Sequence, residues 1–370
     1  MSALFTPYTL GSVTLPNRIV IPPMCQYSAE KGLATHWHRL HLGNLALSGA
    51  GLLIIEATGV EPAGRITPFD LGLWSDETEA ALAETLAVVR TYSRMPIAIQ
   101  LGHAGRKAST ARPWEGGRWV SPDQGGWIPL APSPIPYYPE DPTPTALDKT
   151  AIDRIVEAFQ SAAIRAHRLG IDLIELHSAH GYLLHEFLSP ISNKRTDEYG
   201  GSLENRMRLP LRIFNAMREA IPKTLPIGVR ISACDWIDQG WTLEESISFT
   251  KLLHAAGAAY IHVSSGGLGP EQRIPLSPGY QVPLAETIRK ATGMPTIAVG
   301  LINEPKAAEA IIASGQADFV GIARGIIYNP RWPWQAAVEL GAKVEIPAPY
   351  WRCVPASTAE HFIPGPHPKT

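Results

Sequence analysis

With 370 residues, 45% of them hydrophobic, and 32 Lys and Arg against 34 Asp and Glu, the chain has a globular composition and a formal net charge of −2. A nearly neutral chain without a run of basic residues is not expected to bind nucleic acid or an anionic membrane surface. Since no apolar run approaches the roughly 20 residues of a membrane span, and the N-terminus lacks a signal-peptide pattern, we expect a cytoplasmic protein.

Short apolar runs alternate with amphipathic stretches along the chain, and both kinds of pattern are typical of regular secondary structure. The predicted strands are 18–24, 52–57, 96–101, 171–176, 226–232, 260–264, 295–299 and 318–323. The predicted helices are 36–48, 76–92, 148–169, 202–220, 242–256, 281–292, 304–314 and 330–341.

Local signals support several helix boundaries. Asp76 precedes Glu79, and Thr242 precedes Glu245, at the spacing of a capping box. Glycines stand where three of the helices should end, namely Gly257, Gly293 and Gly315.

The alternation of strands and helices predicts an α/β fold, a (β/α)8 TIM barrel. A doubly wound sheet would instead show Gly-x-Gly-x-x-Gly after an early strand, and the chain has no such motif there. We expect one domain over residues 1–370, with an N-terminal hairpin in residues 1–17 that crosses the barrel floor.

A long insertion over residues 103–147 follows the third strand. It contains nine prolines, together with Trp114, Trp119, Trp127 and the pair Tyr137-Tyr138. A connection of this length is unusual in a compact domain. It is either a rigid surface loop or a lid over the barrel mouth, because barrel function lies on the side where strands lead into helices.

Polar residues at the carboxyl ends of barrel strands point into the active site, and here they form a consistent set. They are Met24 to Tyr27, Glu56 to Thr58, Gln100, His177 and His180, Arg230, Ser264 to Gly267, Gly300, and Ala323 to Gly325.

Two histidines and a tyrosine leave the fourth strand together. His177, His180 and Tyr182 could grip an electronegative oxygen and hold a proton ready. The histidines could also ligate a metal, with His185 or Glu186 as a further ligand. Spacing alone leaves a metal site possible, although Arg230 and Arg324, at the same end of the barrel, would repel a metal cation.

The residues that follow the last three predicted strands suggest an anion-binding site. Glycine allows backbone N–H groups to approach a phosphate, and the guanidinium group of Arg324 can form paired hydrogen bonds to the same phosphate. Phosphate binding after strands seven and eight is common in this fold, whereas the simpler explanation is that these glycines only make tight turns. We favour phosphate.

The three cysteines, Cys25, Cys234 and Cys353, are far apart and include no C-x-x-C pair. Their odd number argues against a disulfide framework, and the missing pair argues against an iron–sulfur or structural zinc site. Taken by itself, Cys25 would most simply be a small hydrophobic residue.

Four motifs together resemble the Old Yellow Enzyme family of flavin-dependent ene-reductases over nearly the whole chain. The double histidine and the Cys25/Tyr27 pair are similar to the branch called thermophilic-like. The motifs are Pro23-Met24-Cys25-Gln26-Tyr27, His103-Ala104-Gly105-Arg106-Lys107, His177-x-x-His180-Gly181-Tyr182, and the segment from Asn193 to Arg206.

The resemblance implies noncovalent FMN on the barrel axis and no metal. It implies that the flavin is lined by Pro22, Pro23, Met24, Cys25 and Ala57, that Gln100 bonds its pyrimidine edge, and that Arg230 faces its N1/C2 carbonyl region. It further assigns the FMN phosphate to Gly300, Ala323 and Arg324.

The resemblance also implies a reaction. NADPH or NADH passes hydride to flavin N5 and leaves, and an α,β-unsaturated carbonyl compound then receives the hydride, in a ping-pong sequence. His177 and His180 would hydrogen-bond the carbonyl oxygen, and Tyr182 would protonate the α-carbon. Tyr27 would help to bind the ligand, and Cys25 would tune the flavin rather than act as a nucleophile.

Members of this branch place a C-terminal residue in the neighbouring subunit's site. We therefore expect a homodimer or homotetramer in which Arg352, within the tail 342–370, is substrate-binding; Trp351 is the other candidate.

The related 2,4-dienoyl-CoA reductases carry an extra domain and an iron–sulfur centre, for which this chain has neither the length nor the cysteines. A metal-dependent barrel hydrolase or lyase and a noncatalytic binding scaffold are the remaining alternatives.

Overall fold

Eight parallel strands close into a barrel in the computed structural model, which describes residues 2–365. Around the barrel the order is β3-β4-β5-β8-β9-β10-β11-β12, closed by pairing of β12 with β3. The strands are β1 Tyr8–Leu10, β2 Val13–Leu15, β3 Ile19–Ile21, β4 Leu52–Gly59, β5 Ile97–Gly102, β6 Leu130–Ala131, β7 Thr145–Ala146, β8 Leu173–Ser178, β9 Ile227–Ser232, β10 Ile261–Ser264, β11 Thr296–Ala298, β12 Phe319–Gly321, β13 Val344–Ile346 and β14 Phe362–Pro364. The eight barrel strands are the eight predicted ones, so the TIM-barrel prediction is confirmed.

Every predicted helix is present, with ends that differ from the prediction by at most two residues. Two further helices, α4 and α9, are too short for a helical period to be recognised in the sequence. The helices are α1 His36–Ala46, α2 Asp76–Tyr92, α3 Lys149–Arg168, α4 Leu183–Leu188, α5 Leu203–Ala220, α6 Leu243–Ala255, α7 Val282–Thr292, α8 Pro305–Ala313, α9 Arg324–Tyr328 and α10 Trp332–Glu339.

The helix caps agree with the prediction except at α2. Thr242 and Glu245 form a capping box at the start of α6, and Gly293 ends α7 in the left-handed conformation with φ of 70°. The N-cap of α2 is Ser75 rather than Asp76, and its box partner is Thr78. The hydroxyl of Ser75 therefore accepts from a free N–H of the first turn, that of Thr78, at 3.3 Å.

The predicted N-terminal hairpin crosses the barrel floor. Strands β1 and β2 pair antiparallel, and their side chains Leu10 and Leu15 are buried against the lowest layer of the barrel interior. The residues of this layer are Val20, Leu52, Ile54, Ala98, Leu173, Tyr260, Ile297 and Phe319. An apolar floor leaves the opposite end, the mouth, as the place for polar side chains.

Alternation along the strands carries polar residues towards that mouth. On β8, Leu173 belongs to the apolar layer, and residues two apart share a face of a strand. Glu175 and then His177 therefore follow Leu173 on the interior face, at increasing height. Both are buried.

The insertion 103–147 lies against loops at the mouth. Arg106 donates to the carbonyl of Leu268 at 2.7 Å, and the Trp127 indole donates to the carbonyl of Ala63 at 3.0 Å. Ala63 lies in the loop after β4, and Leu268 in the loop after β10. Both loops leave carboxyl ends of strands, so the insertion is on the side that the lid hypothesis requires.

The segment 193–206 fixes this insertion in place. The Arg195 guanidinium donates to the carbonyls of Pro132, at 3.0 Å, and Leu147, and the Lys194 backbone N–H donates to Ser133 Oγ at 2.8 Å. These contacts give a structural role to a motif for which the sequence suggested no catalytic step.

Candidate active site

Strand register brings the predicted site residues together at the mouth. Ala57 on β4 is opposite Gln100 on β5, and His177 on β8 is opposite Arg230 on β9. Pro22 directly follows β3 and is buried, while Pro23, Met24, Cys25 and Tyr27 are half-buried. The sequence places these residues up to about 200 positions apart, and the closed barrel makes them neighbours.

The clamp, which we define as His177, His180 and Tyr182, is a cluster of three rings. The His177 ring centroid lies 5.2 Å from that of His180 and 5.1 Å from that of Tyr182, in edge-to-face arrangements. A left-handed turn at His180, with φ of 60°, and at Gly181, with φ of 72°, makes this grouping possible. The predicted pairing of the histidines with Tyr182 is therefore present in space.

Hydrogen bonds fix the orientation of both imidazoles. The Ala179 backbone N–H donates to His177 Nδ1 at 3.3 Å, so Nε2 of that ring carries the proton. His180 Nε2 lies 2.8 Å from Ser264 Oγ. Ser264 and Ser265 both reach Gln281 Oε1, at 3.3 and 2.6 Å.

Burial sets the protonation of the clamp. Burial, followed by the charge of Arg230, lowers the pKa values of His177 and His180 well below the usual 6.5. Burial also raises the pKa of Tyr182 well above the usual 10. The clamp therefore consists of two neutral imidazoles and a phenol that keeps its proton.

Lys107 lies beside the clamp and was not predicted as a site residue. Its Nζ donates to the carbonyl of His180 at 2.8 Å and lies 4.9 Å from the Tyr182 ring centroid. Burial lowers the pKa of Lys107 to about 8. The motif His103 to Lys107 was recognised in the sequence, but nothing local indicated a contact 73 residues away.

The two residues that could have completed a metal site are used elsewhere. His185 Nδ1 accepts from the Gly181 backbone N–H at 2.9 Å, and its Nε2 lies 2.8 Å from Asp235 Oδ1. Glu186 accepts from the Arg106 backbone N–H at 2.8 Å. Across residues 2–365, no three His, Cys, Asp or Glu side chains are grouped as a metal site would require.

Buried side chains of β4 and α1 support the loop that carries Cys25 and Tyr27. Glu56 Oε2 accepts from the Gln26 backbone N–H at 2.8 Å, and His38 Nε2 lies 3.2 Å from Glu56 Oε1. Burial and the charges of Asp70 and Glu56 raise the pKa of the Cys25 thiol well above its usual value. A protonated thiol is a poor nucleophile.

A cation faces the mouth without a hydrogen-bond partner on one of its nitrogens. Nε of Arg230 is buried and unpaired within residues 2–365. Below it, Gln100 Nε2 donates to Glu175 Oε1 at 2.8 Å, which directs the Gln100 oxygen away from that carboxylate.

The predicted anion site lies at neighbouring strand ends. Strands β11 and β12 pair, and Gly300 and Ala323 follow them. Gly300 has φ of 124°, which side-chain-bearing residues rarely adopt. Arg324 begins α9 and is exposed. These three predicted residues are therefore brought to one side of the mouth.

Arg352 is not brought to the clamp by any contact within the described chain. It lies in the exposed segment Ala348–Cys353, near Tyr350, which packs edge-on against Trp334 with ring centroids 6.4 Å apart. Its predicted role requires a second subunit and stays a prediction.

Comparison with known proteins identifies the family. The profile of the NADH:flavin oxidoreductase / NADH oxidase family matches residues 3–342. The chain is 44% identical over 353 residues to NADPH dehydrogenase of Geobacillus thermodenitrificans, covering 95% of this chain and 98% of that protein. It is 45% identical over 354 residues to NADPH dehydrogenase of Listeria innocua, covering 95% and 99%.

A solved structure of morphinone reductase in complex with tetrahydroNAD superposes with a TM-score of 0.74, at 28% identity and over 99% of both chains. No helix within residues 2–365 is long and apolar enough to cross a membrane. The chain belongs to the NADH:flavin oxidoreductase / NADH oxidase family, the Old Yellow Enzyme family, and is an NAD(P)H-dependent flavin oxidoreductase that uses FMN.

Proposed function

We propose that the protein reduces the C=C bond of α,β-unsaturated carbonyl compounds. The observation that carries this proposal is the clamp, in which two neutral imidazoles and a protonated phenol lie together. Neutral donors suit a carbonyl oxygen, and a phenol that retains its proton suits protonation of carbon. NADPH or NADH is the hydride source.

Several features of the mouth support the placement of FMN there. The unpaired Nε of Arg230 would meet the N1/C2 carbonyl region, and the Gln100 oxygen, turned away from Glu175, would accept from the pyrimidine edge. Pro22, Pro23, Met24, Cys25 and Ala57 would line the ring system. The phosphate would be bound by Gly300, Ala323 and Arg324.

When bound, FMN would supply the hydride chemistry between the nicotinamide and the β-carbon of the substrate, so that coenzyme and substrate would use the site in turn. The chain contributes binding, orientation and proton transfer. Tyr27, which packs edge-on against Trp114 of the insertion at 6.0 Å between centroids, would contact the ligand. The insertion would then act as a lid.

The two imidazoles would stabilise charge on the carbonyl oxygen. The His177 Nε2–H is free to donate, since Nδ1 already accepts from Ala179. His180 would donate from Nδ1 in the tautomer whose Nε2 accepts from the Ser264 hydroxyl at 2.8 Å, and in that state Ser264 does not donate to Gln281 Oε1, 3.3 Å away. Donors fixed before the reaction are effective because they need no reorganisation as the charge develops.

Tyr182 would supply the proton to the α-carbon. Its raised pKa keeps the phenol protonated at neutral pH, so a proton is available in every cycle. Cys25, also protonated, would tune the flavin by contact. Transfer from a positioned acid typically contributes about 100- to 10,000-fold to a rate.

The test is an anaerobic half-reaction experiment on the purified protein. We expect a yellow protein whose flavin absorbance bleaches with NADPH or NADH and returns on addition of 2-cyclohexen-1-one. If the reduced protein were reoxidised by oxygen but not by enones, the flavin oxidoreductase assignment would stand and the substrate class would be wrong.

We further propose that the chain acts as a homodimer or homotetramer in which Arg352 reaches the neighbouring subunit's substrate. Its exposure on the tail, beside the half-exposed Trp351, supports this. Arg352→Ala should raise the Michaelis constants for enone and coenzyme. Unchanged constants in a protein that is oligomeric by light scattering would count against it.

A further inference from the structure

Directly below the mouth, four polar side chains form one hydrogen-bonded group, which we call the Glu175 group. Glu175 Oε1 accepts from Gln100 Nε2 at 2.8 Å. Its Oε2 accepts from the Tyr260 hydroxyl at 3.2 Å and lies 2.8 Å from His262 Nδ1. All four residues are at most 1% exposed. The motifs of the sequence did not point to this group.

The contacts indicate an ionised carboxylate. Burial raises the pKa of Glu175, but His262, Arg230 and the Gln100 hydrogen bond outweigh burial and hold that pKa below its usual value. Burial of a charge without partners is costly. Three donors around one carboxylate are the arrangement that offsets this cost.

This carboxylate also constrains Gln100. An ionised carboxylate only accepts hydrogen bonds, so it can be met only by the NH2 end of the Gln100 amide. The oxygen end is therefore turned away from Glu175. A neutral amide at position 175 would have one donor and one acceptor end and would permit either orientation of Gln100.

Arg230 is the cation that Glu175 balances. Arg230 lies on β9, where it is in register with His177 of β8 on one side and with His262 of β10 on the other. Burial lowers the pKa of Arg230, and the charge of Glu175 is the strongest influence that counteracts burial. The barrel interior therefore holds a positive charge at the mouth and a negative charge one layer below.

We propose that Glu175 is a positioning and charge-balancing residue for the flavin: it orients the Gln100 amide, and it offsets part of the Arg230 charge and so holds the FMN reduction potential down. The inference rests on the FMN placement proposed above. Reduction adds negative charge to the isoalloxazine, which a nearby cation favours and a nearby anion opposes.

The test compares the reduction potential of Glu175→Gln with that of a matched variant, Tyr260→Phe. Glu175→Gln removes the charge, so reduced FMN should gain about tenfold in affinity relative to oxidised FMN, equivalent to a rise of about 30 mV for a two-electron couple. Tyr260→Phe removes one hydrogen-bond donor but keeps the charge of Glu175. It should change the affinity of reduced FMN relative to oxidised FMN by less than about threefold.

Dissociation constants for oxidised FMN, measured by fluorescence quenching of the apoprotein, give the positioning readout. Glu175→Asp keeps the charge but shortens the side chain, so it should weaken oxidised FMN binding with little change of potential. If Glu175→Gln does not fold, as circular dichroism would show, Glu175→Asp still tests the positioning role.

A potential unchanged in Glu175→Gln, or shifted equally by Tyr260→Phe, would overturn the charge-balancing role. Unchanged FMN affinity in Glu175→Asp would overturn the positioning role. FMN affinity and reduction potential that are both unchanged in Arg230→Ala would instead overturn the proposed placement on which both roles depend.

Discussion

The two sides of the mouth are organised in opposite ways. The clamp is held by the protein itself, since His180 is fixed by Ser264 and Lys107 and the turn at Gly181 by His185. On the anion side, Arg324 is exposed to solvent. The groups proposed to perform chemistry are thus ordered before a ligand arrives, whereas the group proposed to bind phosphate would be ordered by the ligand.

Removal of the Tyr182 hydroxyl should have the largest effect. In Tyr182→Phe, enone-dependent reoxidation should slow by about 100- to 10,000-fold, because the proton donor is lost, while flavin reduction by NADPH should keep its rate. Stopped-flow measurement of the two half-reactions separates these effects. A loss below about tenfold would assign the proton to another donor.

Removal of an imidazole from the clamp should come next. His177→Ala should lower the enone-dependent rate by about 100- to 1,000-fold, the usual effect of losing one donor to a developing oxyanion. His254→Ala, at an exposed position on α6, is the control. Equal rates for these two variants would contradict the carbonyl clamp.

A substitution on the anion side should change the affinity for FMN rather than the rate of the reaction. Arg324→Ala should weaken FMN binding by about 10- to 100-fold, the value of a hydrogen bond to a charged group, with Arg94→Ala, also exposed, as control. The melting temperature of the apoprotein should not change. A destabilised apoprotein would show that Arg324 is ordered by the protein rather than by the ligand.

The smallest effect should come from the support behind His180. Ser264→Ala should slow enone-dependent turnover by about two- to tenfold, the value of one neutral hydrogen bond. Ser265→Ala is the matched control, since Ser265 bonds Gln281 but not His180. A loss as large as that of His177→Ala would mean that Ser264 itself acts on the ligand.

Sequence periodicity was sufficient for the barrel, because strands and helices of ordinary length leave a readable pattern. It failed for α4 and α9, which are shorter than two helical turns. The N-cap of α2 was misplaced by one residue because Ser75 and Asp76 are both good caps. The resemblance supplied the roles of His177 and Tyr182, which periodicity could not.

What the sequence did not reveal are contacts between distant residues. Glu175 looked like one residue of an apolar strand, and its partner His262 is 87 positions away. Lys107 and Arg195 belong to recognised motifs, but they act on His180 and on the insertion through contacts that have no local pattern. Only the closed barrel determines which of these side chains meet.

The turn of the clamp has a consequence for redesign of the enzyme. A Cβ atom on Gly181 would lie 2.1 Å from the carbonyl oxygen of Gly267, and one on Gly267 would lie 2.5 Å from Cα of His180. The loops after β8 and β10 therefore interlock through two glycines. A graft of either loop that shifts Gly267 will therefore also displace His180, the histidine proposed to bind the substrate.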